Sequence, residues 1–178
     1  MDFQEYQEIR NTIKNVDILM YQGTSLISRI IRKLTRSEYS HAGIVAWWNE
    51  RLMVMEAVGK GVIVTPISNN IKNYKGKIHL YSAKIPISPD ERLKMLQFAQ
   101  LELGKEYATW KLILFGLKII FKEDIDKRDE LKRENKLYCS HYVAQIYNSG
   151  GHDLKKGVSD RFMRPEDIAK SELLEMIK

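Results

Sequence analysis

The chain has 178 residues, 44% of them apolar, with 29 Lys and Arg against 23 Asp and Glu and a single cysteine. That is enough apolar residue for one packed core, so a single domain over residues 1–178 is expected, and one cysteine excludes an intrachain disulfide. The formal charge of +6 favours an anionic partner such as a membrane surface or a cell-wall polymer. Nucleic acid is not the expected partner, because the basic cluster Arg29, Arg32, Lys33 and Arg36 comes without zinc-finger spacing or an RNA-binding aromatic signature. Residues 1–15 lack an apolar stretch behind a basic start, so no secretory signal is expected and the reading is a cytoplasmic protein. The most apolar run, residues 110–121, is interrupted by Lys111 and Lys118 and is too short to span a bilayer, which leaves a core helix, a lid or an interfacial segment.

In chain order, residues 16–21 read as a strand. Gly23 and Thr24 follow, with Thr24 as N-cap of a helix whose buried stripe is Leu26, Ile27, Ile30, Ile31 and Leu34. Three strand-like runs come next, residues 42–48, 51–58 and 62–66, separated by Asn49-Glu50 and by Gly59-Lys60-Gly61, which is the pattern of an antiparallel meander. Residues 78–83 are a further strand. Ser88-Pro89-Asp90-Glu91 then opens a helix with serine as N-cap, proline at the first helical position and glutamate closing the capping box; it runs to Leu103 and stops at Gly104. The run of residues 122–136 mixes both signs and reads as a solvated helix or loop. Residues 138–148 are helical by pattern, ended by Ser149-Gly150-Gly151, and Arg164-Pro165-Glu166-Asp167 leads into a short helix. Strands clustered between helices make an α+β domain.

Cys139 stands at the start of the helix over residues 138–148. On pattern alone a lone thiol is more often a small buried hydrophobe than a nucleophile. Nucleophilic work needs a lowered thiol pKa, a base within reach and a group that orients the base. A helix N-terminus supplies the first through its dipole and free N–H groups. Of the four histidines, His141 lies two residues from Cys139, about 200° away around a helix axis, and cannot face the thiol. His79, between Ile78 and Leu80, points away from the face those two share, and His152 follows a double glycine in a loop. His41 is the best base left.

A two-residue loop at Asn49-Glu50 sets Trp48 opposite Arg51 and Gly43 opposite Glu56. His41 and Glu56 then become diagonal neighbours on one sheet face, where a carboxylate can hold an imidazole; an odd loop length would put them on opposite faces. The competing reading of Glu56 is a solvent-facing carboxylate on the open side of the sheet. Tyr138 and Tyr39 could donate to a substrate, though packing is the commoner role of such tyrosines, and Trp47, Trp48 and Trp110 read as core or rim. No metal or cofactor is expected, since no His or Cys pair has ligand spacing on a helix.

Residues 16–19, 37–45, Glu56-Ala57, Gly61-Val62, 103–107, Tyr138-Cys139-Ser140 and 164–169 fall in one order over nearly the whole chain. This ordered set resembles the circularly permuted, NlpC-type, papain-like cysteine hydrolases, in particular the YiiX and YaeF-like group. The resemblance implies an antiparallel sheet or small barrel packed against helices. It also implies Cys139 as nucleophile, His41 as base and Glu56 as third member of a triad. Two positions depart from the group: His141 stands where an acidic residue is common, and Val16 where glycine is. His141, with Tyr138 and Tyr39, is therefore a candidate to touch substrate. The expected activity is a cysteine amidase or peptidase acting on a small amide, peptide or acyl substrate. Its rivals are a lipid-directed thioesterase or acyltransferase at a membrane, and a non-catalytic binding module on the same fold.

Overall fold

A computed structural model describes residues 1–59, 61–105 and 139–178. The expectations for residues 110–121, for the charged run 122–136, and for Glu106, Tyr107, Trp110 and Tyr138 lie outside the described residues. Six strands, β1 (Ile18–Gly23), β2 (His41–Trp48), β3 (Arg51–Val58), β4 (Gly61–Pro66), β5 (Gly76–Ala83) and β6 (Leu174–Met176), form one sheet in the order β4-β3-β2-β1-β5-β6. Every neighbouring pair is antiparallel. The sheet has two ends, so of the expected sheet or small barrel it is the open sheet that forms.

The alternation along each strand separates two cores. Ile18, Met20, Ala42, Ile44, Met55 and Ala57 point to the side covered by α4 (Pro89–Leu101) and α5 (Cys139–Ser149). Leu19, Tyr21, Val45, Val54, Ile78 and Leu80 point to the opposite side, against α1 (Phe3–Ile9) and α3 (Ile67–Asn73). Three tethers hold α5 in place: Tyr142 Oη donates to the Ala99 carbonyl at 2.8 Å, Tyr147 Oη to that of Val16 at 2.8 Å, and Ser140 Oγ to that of Met163 at 2.5 Å. Val16 has a φ of 66°, in the left-handed region that favours glycine. The glycine that the resembled group carries at this position would have a backbone reason. Here the conformation is held by the Tyr147 bond and by the Val16 N–H on the Val45 carbonyl at 2.8 Å.

The Asn49-Glu50 hairpin has the expected register, Trp48 opposite Arg51 and Gly43 opposite Glu56. The Ser88 and Glu91 capping box closes around Pro89 as expected, although the regular helix ends at Leu101 and turns through Gly104, φ 78°. Past that turn the chain doubles back along β4, with the Gly104 N–H on the Val62 carbonyl at 2.9 Å. Two expectations for α2 (Leu26–Thr35) are corrected. Its N-cap is Ser25, whose Oγ accepts from the Ser28 N–H at 3.1 Å, because the Thr24 hydroxyl is drawn instead to the Lys75 carbonyl at 2.8 Å. Its apolar stripe is only partly covered, with Ile31 and Leu34 half-buried and the other three exposed. Leu26 is 74% exposed, Ile27 38% and Ile30 36%, while Thr35 is the buried residue of the helix.

The short helix α6 (Pro165–Ala169) is anchored by Asp167, which is buried and accepts from Arg164 Nε at 2.8 Å, Arg164 Nη2 at 2.7 Å and Lys155 Nζ at 2.5 Å. Burial alone would raise its carboxyl pKa, but these cations and the Arg164 N–H hold it at about 2. A carboxylate with a depressed folded-state pKa contributes stability above its unfolded value and loses it as the pH falls through the folded one. Asp167→Asn should therefore cost about 2 kcal/mol in urea unfolding at neutral pH, discounted for the partly exposed cations. The gap from wild type should close between pH 4 and pH 2, and a gap that is constant with pH would refute this role.

Candidate active site

Cys139 is the first residue of α5 and is partly buried, and His41 is the first residue of β2 at the end of the sheet. His41 Nε2 lies 3.1 Å from Glu56 Oε1, which leaves Nδ1 as the ring nitrogen for the thiol. Glu56 comes from the β3 positions that face the α1 and α3 side, and it is 6% exposed. The sheet delivers this carboxylate to the imidazole by register alone.

A buried carboxylate must have its remaining oxygen satisfied. Asn70 on α3 does this: its Nδ2 donates to Glu56 Oε2 at 2.8 Å and to the Tyr21 hydroxyl at 3.0 Å. Thr65 Oγ1 stands at 3.5 Å from the same Oε2. The Tyr21 ring also packs against the His41 ring, centroid to centroid 5.2 Å. Gly43, directly across from Glu56, has no room for a side chain, since a Cβ there would lie 2.8 Å from Glu56 Cγ and 2.7 Å from Val54 Cγ2. The small residue in the strand makes the space the carboxylate occupies.

The electrostatics follow from these contacts. Burial pushes the Cys139 thiol up, yet the positive imidazole of His41 and the N–H groups of Ala42 and Ser140 outweigh it, and the net shift is downward. Burial also opposes the charge on His41, but the Cys139 thiolate and Glu56 raise its pKa to about 10. Glu56 is penalised by burial and held below its ordinary value by His41, Asn70 and Tyr21. The three groups favour a thiolate, an imidazolium and a carboxylate, a coupled set rather than three independent titrations. A cavity of about 300 Å³ opens beside Cys139 and His41, lined on its apolar side by Ile27, Ile31, Ala57, Val58 and Met163.

The other candidates are placed elsewhere. Tyr39 is buried, its hydroxyl 2.7 Å from His79 Nδ1 and 3.0 Å from Tyr81 Oη, and it does not line the cavity. His141 is buried on α5 and is likewise absent from the cavity wall. Burial, and then the charge of Arg161, hold its pKa at about 4, so it is neutral at ordinary pH. His79 does turn away from Ile78 and Leu80, toward Tyr39. His152 Nε2 stands 3.7 Å from Glu91 Oε1, remote from Cys139 in the fold. Asn70 and Tyr21 escaped the sequence reading, although Ile67 and Ile71, four apart behind Pro66, were a signal for the helix that carries Asn70.

The family model described as permuted papain-like amidase enzymes, YaeF/YiiX, the C92 peptidases, matches residues 13–159. The chain belongs to that family. The uncharacterised protein YiiX of Escherichia coli K12 is 34% identical over 137 residues, 75% of this chain and 56% of that relative, so the match spans little more than half of the relative's length. The crystal structure of a YiiX from Escherichia coli O157:H7, described as a metalloprotein, superposes with a TM-score of 0.70 at 22% identity, covering 93% of this chain and 96% of that one. The fold is thus the permuted papain-like one. The metal belongs to that protein; among the described residues here, no three His, Cys, Asp or Glu side chains are grouped to hold a metal ion.

Alkylation of Cys139 with iodoacetamide should follow a thiolate titrating below the free-thiol value of about 8.5. Because the imidazolium is what favours the thiolate, His41→Ala should raise that midpoint and slow alkylation at pH 7 about tenfold or more. Asn70→Ala should shift it the same way by less. Identical profiles in wild type and His41→Ala would show that the two groups do not interact.

Proposed function

We propose that the chain is a cysteine hydrolase in which Cys139, His41 and Glu56 act as nucleophile, base and orienting carboxylate on a small amide or acyl substrate. The observation that carries this is His41 bonded to a buried Glu56 at 3.1 Å while facing a lone thiol at a helix N-terminus beside an open cavity. The thiolate attacks the substrate carbonyl carbon, and the electron pair of the C=O bond moves to oxygen. The Cys139 backbone N–H helps stabilise that oxyanion. The carbon–nitrogen bond then breaks as the His41 imidazolium gives its proton to the leaving amine, which leaves a thioacyl-enzyme. Neutral His41 next takes a proton from water, the hydroxide adds to the thioester, and release of the acid restores thiolate and imidazolium. Glu56 keeps the ring oriented and favours its charged form throughout.

A second reading has a specific observation behind it. The cavity wall of Ile27, Ile31, Ala57, Val58 and Met163 suits an acyl chain better than a peptide backbone, which favours a thioesterase or acyltransferase acting on a lipid. The intact Cys, His and Glu set argues against a non-catalytic binding module. Among the described residues no helix is long and apolar enough to cross a membrane.

Cys139→Ala should abolish turnover of amide and thioester panels while leaving the thermal unfolding curve unchanged. Glu56→Gln should keep the thiol and lower kcat by about 10²-fold or more through loss of ring orientation and charge. Full activity in Cys139→Ala would overturn the mechanism. A strong preference for long-chain acyl over short-chain amide substrates would select the second reading.

A further inference from the structure

Helix α2 packs with its polar side inward. Thr35 is fully buried, with its hydroxyl on the Ile31 carbonyl at 2.8 Å, and Ser28 meets the backbone of Gly23 so closely that a Cβ there would lie 2.3 Å from Ser28 Oγ. Arg32 is half-buried, with Nη1 reaching the Gly23 carbonyl at 3.4 Å. The strongly amphipathic helix therefore turns Leu26, Ile27 and Ile30 outward, while Ile31 and Leu34 are half-buried against the protein. Leu26 and Ile30, one turn apart, share this outer stripe with Ile27, at 74%, 36% and 38% exposure. Exposed Arg29 and Lys33 flank it, exposed Arg36 follows at the C-cap, and the helix contains no acidic residue.

We propose that α2 is a membrane-docking surface: Leu26, Ile27 and Ile30 enter the interface of an anionic phospholipid bilayer, and Arg29, Lys33 and Arg36 lie at the level of the lipid phosphates. An outward apolar stripe edged by cations on a helix of low net hydrophobicity is the pattern of a helix lying in the interface plane. Charge decides against a second copy of the chain as the occupant, because pairing this face with itself would bring two Arg29 and Lys33 sets together. Ile27, Ser28, Ile31 and Thr35 also line the cavity beside Cys139, so docking here sets the cavity next to the lipid surface. The proposal rests on α2 and not on the catalytic reading, and Cys139→Ala protein serves for its test.

The test is co-sedimentation of the full chain with vesicles of phosphatidylglycerol and phosphatidylcholine in equal parts, against pure phosphatidylcholine. Binding is expected to the first, weakened by salt and absent on the second. The double variants Leu26→Glu with Ile30→Glu, and Arg29→Glu with Lys33→Glu, change only exposed positions and should each bind at least about tenfold more weakly. A polarity-sensitive fluorophore on Ile30→Cys, in the Cys139→Ala background, should shift to the blue on the anionic vesicles. Absence of wild-type binding, undiminished binding by the Leu26 and Ile30 variant, or an unshifted label would each overturn the proposal. So would a dimer seen by light scattering that this variant dissolves, since the face would then belong to a second copy.

Discussion

The site depends on the pairing of β2 with β3. A two-residue turn at Asn49-Glu50 sets Gly43 across from Glu56, and that register makes His41 and Glu56 diagonal neighbours on one sheet face. A slip of one residue would carry Glu56 to the α4 and α5 side, leaving an unpaired carboxylate in an apolar core and an imidazole with no partner. Register here is enforced twice, once by the alternating apolar residues of two cores and once by the cost of an orphaned charge. Structure and chemistry are therefore not separable at this hairpin.

Burying a carboxylate is unfavourable unless every lone pair finds a donor, and the neighbours of Glu56 are arranged to that end. Gly43 leaves the space, Asn70, itself bonded to the Tyr21 hydroxyl, holds the far oxygen, and His41 holds the near one. Because Asn70 comes from α3, which packs on the face opposite α5, the site spans the sheet from one side to the other. Cys139 belongs to the α5 layer and Asn70, which supports Glu56 beside His41, to the α3 layer, with β2 between them. The full arrangement of thiol, imidazole and supported carboxylate therefore draws on both layers.

Much of this was legible from residues alone where a local rule was strong. The Ser88 and Glu91 capping box, the hairpin register and the outward turn of His79 each follow from capping chemistry or strand alternation, and each is found. What escaped did so for tertiary reasons. The periodicity of Leu26, Ile27, Ile30, Ile31 and Leu34 marks an amphipathic helix but says nothing about which side meets the protein, and here Thr35 and Ser28 do. The three-residue strand β6 is too short for a periodic signal, and the spacing of Ile67 and Ile71 marks α3 without showing that Asn70 meets Glu56, so that contact came to light only in three dimensions. The choice of Ser25 over Thr24 as N-cap was decided by a carbonyl 51 residues away in the chain, which no window along the sequence contains.

The single thiol has one more consequence, and it concerns oxidation. A cysteine held toward its thiolate beside an open cavity is the form that peroxide attacks first, giving a sulfenic acid. Where a second cysteine lies near, it condenses with that acid and stores the damage as a disulfide. This chain has no second cysteine. A small thiol that reduces the acid would reach it through the cavity of about 300 Å³. The same solitude means that any thiol-selective reagent found on the chain reports on this one cysteine.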